Sequence, residues 1–584
     1  MKMLTKVRTI QAIRRQRQIW LGVVLLSAAI LAGCGGGSGG GGGTTPPTTT
    51  DMGTLTSMGD TYTYTFKNAA SSMVLGISGQ LQTAGTNVVQ ESSSTTTNDI
   101  YWHFMPMGSN EYNVENMLTH QVLGILNASA STGAQALQYS DNGTNDHLWQ
   151  IYVLTDGNYL IKNVNSGYYL QDDGSGTTSS ATIDQGARSA SVTGCTCQEW
   201  AIASSSTAAY TAPLTVSGTG IYVHDPFMFQ DPTTHYYWLY GTHQTLAYST
   251  DGTTFTYVTK SAEPAGSSAS CTAAQGTAWL TTAGEGYCPI IGPDLASWTG
   301  LQTPLAYNSG QDTDIWAPDV LYSGGTYYQY YAVPYDPSTG AEAVIGLATS
   351  STPYGPWTDK GYVVSSWSNA TSSPPTGDAT TWNFVNTTTW NAIDPSPFID
   401  ASGNWWLVFG SWSDGTHLME LQSPSSNSSA ATIGFPVANG SSAFPLASSV
   451  TAGTKIGARG NGEEGPFIYY WNGYYYYFAP INTCCSGTSS TYRTIVGRSS
   501  TGVTGPYFDR GGINLENGGG TILISSHSNI YGPGGASVFT DTGIDGTKSL
   551  PTIVYHYYDG NNGGTPTLGI NRLNFTSDGW PYIQ

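Results

Sequence analysis

The sequence predicts an all-β protein made of two repeated modules, a threefold one followed by a fivefold one. Tyr, Trp, Thr and Val favour half-buried pleated surfaces, and there are 39 Tyr and 17 Trp among 584 residues. Gly and Pro, 73 and 29 of them, punctuate these stretches. Charged residues make up only 10% and aromatics 12%, which argues against a long helical bundle and against disorder. The length suits two domains, each with ample chain for a core. Acidic residues outnumber basic ones 38 to 18, so no nucleic-acid partner is expected: phosphates would be repelled.

The first element is an address. Lys2, Lys6, Arg8, Arg14, Arg15 and Arg17 precede an uncharged apolar run over 19–31. The run is short for a bilayer span and suits a secretory signal, assigned to 1–33. It ends in Leu31-Ala32-Gly33-Cys34, which resembles a bacterial lipobox. The resemblance implies that Cys34 becomes a lipidated mature N-terminus, anchored at the bacterial cell surface or outer membrane and touching the membrane only there. A Gly/Thr/Pro-rich linker over 34–54 fits such an anchor. Six cysteines remain. Cys271 and Cys288 bracket a Gly/Ala-rich loop and form the disulfide candidate in an oxidising compartment. Cys195 with Cys197, and Cys484 with Cys485, are either locally bridged or reduced. No His neighbours them at ligand spacing, so no metal site is assigned.

The threefold module covers 55–205. Leu75, Leu123 and Leu170 recur at nearly equal intervals, each followed by a Trp: Trp102, Trp149 and Trp200. Repeats with one apolar anchor and one Trp resemble a ricin-type β-trefoil, a carbohydrate-binding module. Only the last repeat keeps the Gln-x-Trp signature, in Gln198-Glu199-Trp200, so the Trp residues are expected in the trefoil core.

The fivefold module covers 212–584. Asp225, Asp319, Asp394, Glu464 and Gly535 open five units, each leading through a turn to a strand dense in aromatics. Those strands are centred on Tyr237-Trp238, Tyr327-Tyr328, Trp405-Trp406, Tyr475-Tyr476 and Tyr555-His556. Radial repetition of sheets protects their edges, which predicts a five-bladed β-propeller. The period exceeds a common blade, so insertions are expected near 261–292 and 365–389.

Three openings share an acid followed closely by Pro: His224-Asp225-Pro226, Ile393-Asp394-Pro395 and Glu464-Gly465-Pro466. Pro cannot donate to a ladder, so each acid belongs at a strand start or a bulge. If each strand is innermost in its blade, the carboxylates meet at one end of the axis. Crowded carboxylates push one another's pKa values apart, leaving one protonated and another ionised, as glycoside hydrolysis requires.

At these residues the module resembles glycoside hydrolase family 43, in most detail its endo-1,5-α-L-arabinanases. The similar motifs are Val223-His224-Asp225-Pro226, Trp316-Ala317-Pro318-Asp319, Asn391-Ala392-Ile393-Asp394 and Glu464-Gly465-Pro466-Phe467. Cys484-Cys485-Ser486-Gly487, Ser490-Thr491-Tyr492-Arg493 and Tyr555-His556-Tyr557-Tyr558 extend the match. The resemblance implies an inverting, monomeric hydrolase acting on plant cell-wall arabinan and arabino-oligosaccharides. Asp225 would be general base, Glu464 general acid, and Asp394 the residue that orients Glu464 and tunes its pKa. Base and acid would stand roughly 6.5–9.5 Å apart. Trp316, Asn391 and His556 are the candidate substrate-binding residues. Glu463 is a rival acid, turned to the opposite face by strand alternation. An exo-acting arabinofuranosidase or xylosidase, and a sugar-binding protein without catalysis, are the alternatives. One departure stands out. Many members place a His after Gly-Pro-Gly to hold a central Ca²⁺; here Gly532-Pro533-Gly534 is followed by Gly535. No cofactor is expected to be required, and His556 is either recruited to that place or a core residue.

Overall fold

The computed structural model describes residues 50–172, 178–188, 195–242, 245–258, 315–334, 343–355, 357–365, 391–412, 415–424, 433–437, 454–457 and 462–583. Cys34, Cys271 and Cys288, and both expected insertions apart from Ser365, lie outside them. Among the described residues the structure is strands joined by turns and single 3-10 turns.

The N-terminal module is a β-trefoil. Its strands Val74–Ile77, Val122–Ile125 and Tyr169–Asp172 carry the recurring Leu, and each Leu meets the Trp of its own repeat. The indole N–H groups of Trp102, Trp149 and Trp200 donate to the carbonyls of Leu75, Leu123 and Leu170 at 3.1, 2.9 and 3.1 Å. All three rings are fully buried in one cluster. Burying an indole without a partner for its N–H is costly, and the backbone carbonyl removes that cost three times over. A further triplet follows the same symmetry. The side-chain amides of Asn68, Asn116 and Asn163 donate to the carbonyls of Cys197, Asp99 and Asp146 at 2.7–2.8 Å. Cys195 and Cys197 are joined by a disulfide.

The C-terminal module is a propeller of five sheets, antiparallel apart from the short parallel pairing of Ser217–Gly218 in the first. Their innermost strands are Phe227–Gln230, Trp316–Ser323, Ser396–Ile399, Phe467–Trp471 and Ile530–Asp541. Each pairs with one of the aromatic strands read from the sequence. The ring closes between blades five and one, where Leu214 N–H donates to Ile570 O and Leu568 N–H to Ile221 O, both at 2.8 Å. At the hub, five equivalent residues have positive φ: Asp225 (48°), Ala317 (42°), Asp394 (54°), Gly465 (53°) and Gly535 (58°). This left-handed conformation is uncommon outside glycine, so three non-glycine residues in it mark a backbone shape imposed by the ring. It also corrects the alignment of the unit openings. Asp225 and Asp394 are equivalent, but Asp319 lies two residues past its blade's hub position and Glu464 one residue before Gly465. Asp319 is buried inside its strand, where desolvation raises its pKa well above the usual carboxylate value.

The trefoil is docked against blade four. Arg493, at the start of the strand Arg493–Ser499, is buried and its guanidinium reaches Asp141 at 2.6 Å and Asn113 at 2.7 Å in the trefoil. Tyr210 donates to Glu115 at 2.7 Å, and Met105 and Val122 join the apolar cluster of blades four and five.

Candidate active site

Above the hub lies a cavity of about 670 Å³, and Asp225, Asp394 and Glu464 all face it. Beneath it, a narrow axial space of about 50 Å³ is walled by one triplet from each blade, from Asp225-Pro226-Phe227 to Gly535-Ala536-Ser537. The floor is therefore closed by packed blade starts while the mouth is open.

Asp225 turns into the cavity with its side chain 26% exposed. Its Oδ2 receives Nδ1 of His224 at 2.8 Å and the Thr242 hydroxyl at 2.7 Å. Thr242 in turn accepts the N–H of Ala317 at 3.0 Å, tying blade one to blade two. Behind Asp225, Nδ1 of buried His556 accepts the Asp225 N–H at 3.1 Å, and the rings of His224 and His556 stack at 3.8 Å. Burial alone would raise the Asp225 pKa. The charge and hydrogen bond of His224, with His556 and Thr242, outweigh it and hold the carboxyl below its usual range.

Glu464 has the opposite balance. Burial and the charge of Asp225 raise its pKa to about 7, against the Ser411 hydroxyl bonded at 2.7 Å. Asp394 is also raised well above its ordinary value, by burial first and then by Glu464 and Asp225. Its Oδ2 accepts the N–H of Gly465 at 3.1 Å, gripping the backbone directly after Glu464. Glu463 is buried away from the cavity and bonded by the Tyr477 hydroxyl.

Of the other candidates, Trp316 is half-buried and lines the cavity. Asn391 and His556 do not: both are buried behind the wall, and His556 touches the cavity's lining through Asp225 and the stacked ring of His224. Their places in the motifs put them near the site without giving their direction. Sequence reasoning missed the roles of His224, Thr242, Ser411 and Tyr558. His224 alone carried a local signal, as the neighbour of Asp225. Tyr558 Oη meets Nε2 of His224 at 2.8 Å across 334 residues, a contact no local pattern encodes.

The residues near Gly535 do not fit a Ca²⁺. A Cβ there would lie 2.7 Å from Oδ1 of Asp225 and 3.0 Å from Nδ1 of His556, so the root of a ligand side chain has no room. Two stacked imidazoles crowd the place, whereas the cation takes roughly six to eight oxygens.

Comparison with known proteins identifies both modules. The model of glycosyl hydrolases family 43 matches residues 281–581. The ricin-type beta-trefoil lectin domain-like model matches 54–139, 98–186 and 145–225, three overlapping passes over the repeats. The extracellular endo-alpha-(1->5)-L-arabinanase 1 of Bacillus subtilis is 34% identical over 324 residues, covering 53% of this chain and 84% of that protein. Arabinan endo-1,5-alpha-L-arabinosidase A of Aspergillus niger is 34% identical over 300 residues, 49% and 79% of the two chains. Among solved structures, a GH43 endo-arabinanase from Bacillus licheniformis is 28% identical, with a TM-score of 0.44 over 63% of this chain and 99% of that one. The family match begins beyond Asp225, so it is the closed ring that brings this residue to the other two carboxylates. Matched over more than half its length, the chain belongs to glycosyl hydrolases family 43 and is a glycoside hydrolase.

Proposed function

We propose that this chain is an inverting endo-1,5-α-L-arabinanase acting on plant arabinan and arabino-oligosaccharides. One observation carries the reading: carboxyl groups with opposed proton affinities face a single hollow. Asp225, kept ionised by His224 and Thr242, is the general base. Its Oδ1 takes neither of their bonds and accepts a proton from the water attacking the anomeric carbon. Glu464, kept protonated at mildly acidic pH, is the general acid and gives its proton to the departing glycosidic oxygen. Asp394 holds the Gly465 amide, and so the acid's position, and a charge on either carboxyl disfavours a second charge on the other. Attack and departure on opposite faces of the sugar invert the anomeric centre. No cofactor takes part, and Trp316 offers a sugar ring an apolar face. The two named relatives support the choice of arabinan.

The propeller, 212–584, is the hydrolase and the trefoil, 55–205, a sugar-binding module on a monomeric chain. Export fits the leader and the extracellular Bacillus subtilis relative, with lipidation at Cys34 holding the enzyme at the surface.

The opposed pKa values predict a one-sided pH profile. Asp225 stays ionised through the mildly acidic range, and Glu464 loses its proton near pH 7. The kcat/KM should therefore be flat at mildly acidic pH and fall about tenfold per unit above pH 7, as measured by initial rates on linear arabinan. Sizing early products from debranched arabinan tests the function itself. Oligosaccharides are expected; arabinose alone would assign exo action, and no release would leave a binding protein.

A further inference from the structure

Cys484 and Cys485 are joined by a disulfide at the rim of the cavity. Cys485 has φ 66°, a left-handed conformation that a residue with a Cβ rarely adopts unaided. In that pose its N–H donates to Tyr558 Oη at 2.7 Å, and its Sγ lies 3.8 Å from Nε2 of His224. Tyr558 Oη is 2.8 Å from Nε2 of His224, whose Nδ1 is 2.8 Å from Oδ2 of Asp225. Nδ1–H of His224 donates to the Asp225 carboxylate, and its Nε2 and the Tyr558 hydroxyl share the second bond. Tyr558 then offers its oxygen lone pairs, and Cys485 N–H takes one.

We propose that the Cys484–Cys485 disulfide is a positioning group for catalysis, holding the turn that aims Cys485 N–H at Tyr558 and thereby fixing His224 against Asp225. This rests on the reading of Asp225 as base. The groups facing Asp225 are His224 on its own segment, His556 and Tyr558 from blade five, and Asp394 and Glu464 across the cavity. Among the described residues, Tyr558 and His224 link it to the disulfide by hydrogen bonds. Losing the disulfide frees the turn, withdraws a donor from Tyr558 and loosens the ring that keeps Asp225 ionised. The base then titrates nearer the ordinary carboxylate range, while the limb set by Glu464 stays.

The test is the ratio of kcat/KM on linear arabinan at about pH 4 to that at about pH 6, for the full chain. In Cys484→Ser/Cys485→Ser and in Tyr558→Phe the ratio should fall about twofold, as for a base returned to the ordinary aspartate value of about 3.9. The control Cys195→Ser/Cys197→Ser should keep the parental ratio. If the rim double variant does not fold, the folded control protein is reduced with a phosphine and alkylated, which opens only the rim disulfide among the described pairs, and the same ratio is read. An unchanged ratio on loss of the rim disulfide overturns the inference, including when Tyr558→Phe alone moves it. Failure of the parent protein to cleave arabinan would instead overturn the proposed function.

Discussion

Glu464→Gln should lower kcat on arabinan by roughly 10²–10⁴-fold with little change in KM. Gln keeps the shape of the side chain and an oxygen for the Ser411 hydroxyl, so the pocket should stay folded around it. It carries no acidic proton, and an alkoxide leaving from a sugar needs one. An aryl arabinofuranoside whose phenolate leaves unaided should recover most of the lost rate, separating a missing acid from a damaged pocket. Full activity of Glu464→Gln on arabinan would remove Glu464 from the role. Glu463 would not inherit it, being buried under Tyr477 and turned from the cavity.

Arg493→Met should destabilise the protein by about 3–5 kcal/mol, read from the denaturant midpoint and Tm. Arg493 is buried at the seam between trefoil and propeller and makes its closest contact with Asp141, which is also buried. Met fills much of the volume but takes the guanidinium away from the buried Asp141 carboxylate. The cost should then fall in the double variant Arg493→Met/Asp141→Asn, because the stranded charge is gone. Equal losses in the single and double variants would mean that the carboxylate left behind is not the source of the cost. The effect on stability should span both modules, since Met105 and Val122 of the trefoil pack into the propeller's own apolar cluster.

The legibility of the fold was uneven for physical reasons. The Leu–Trp repeats stood out because each trefoil repeat buries the same two groups, and the structure joins them by the same hydrogen bond. The aromatic strands stood out because a blade's second strand is covered on both faces. The registration of the openings did not. Acid and Pro near one another made Asp319 and Glu464 look equivalent to Asp225 and Asp394, whereas the positive φ values align Ala317 and Gly465 with them. Asp319 lies two residues further along its strand than the hub position, which buries it beside the narrow axial space instead of at the cavity. Asn391 and His556 illustrate the same limit: the motif located them near the site, and only packing decided that both lie behind its wall.

What the sequence alone determined is what depends on local pattern: the β class, the two repeat numbers, and the acids with the prolines that place them at strand starts. The tertiary structure alone decided how those acids differ. Asp225 owes its ionised state to an adjacent His224 held by Tyr558, 334 residues away, and Glu464 owes its proton to a hollow formed by strands from several blades. Proton affinity in a partly desolvated site is set by every charge and donor within a few ångströms, and closure of the ring chooses those neighbours.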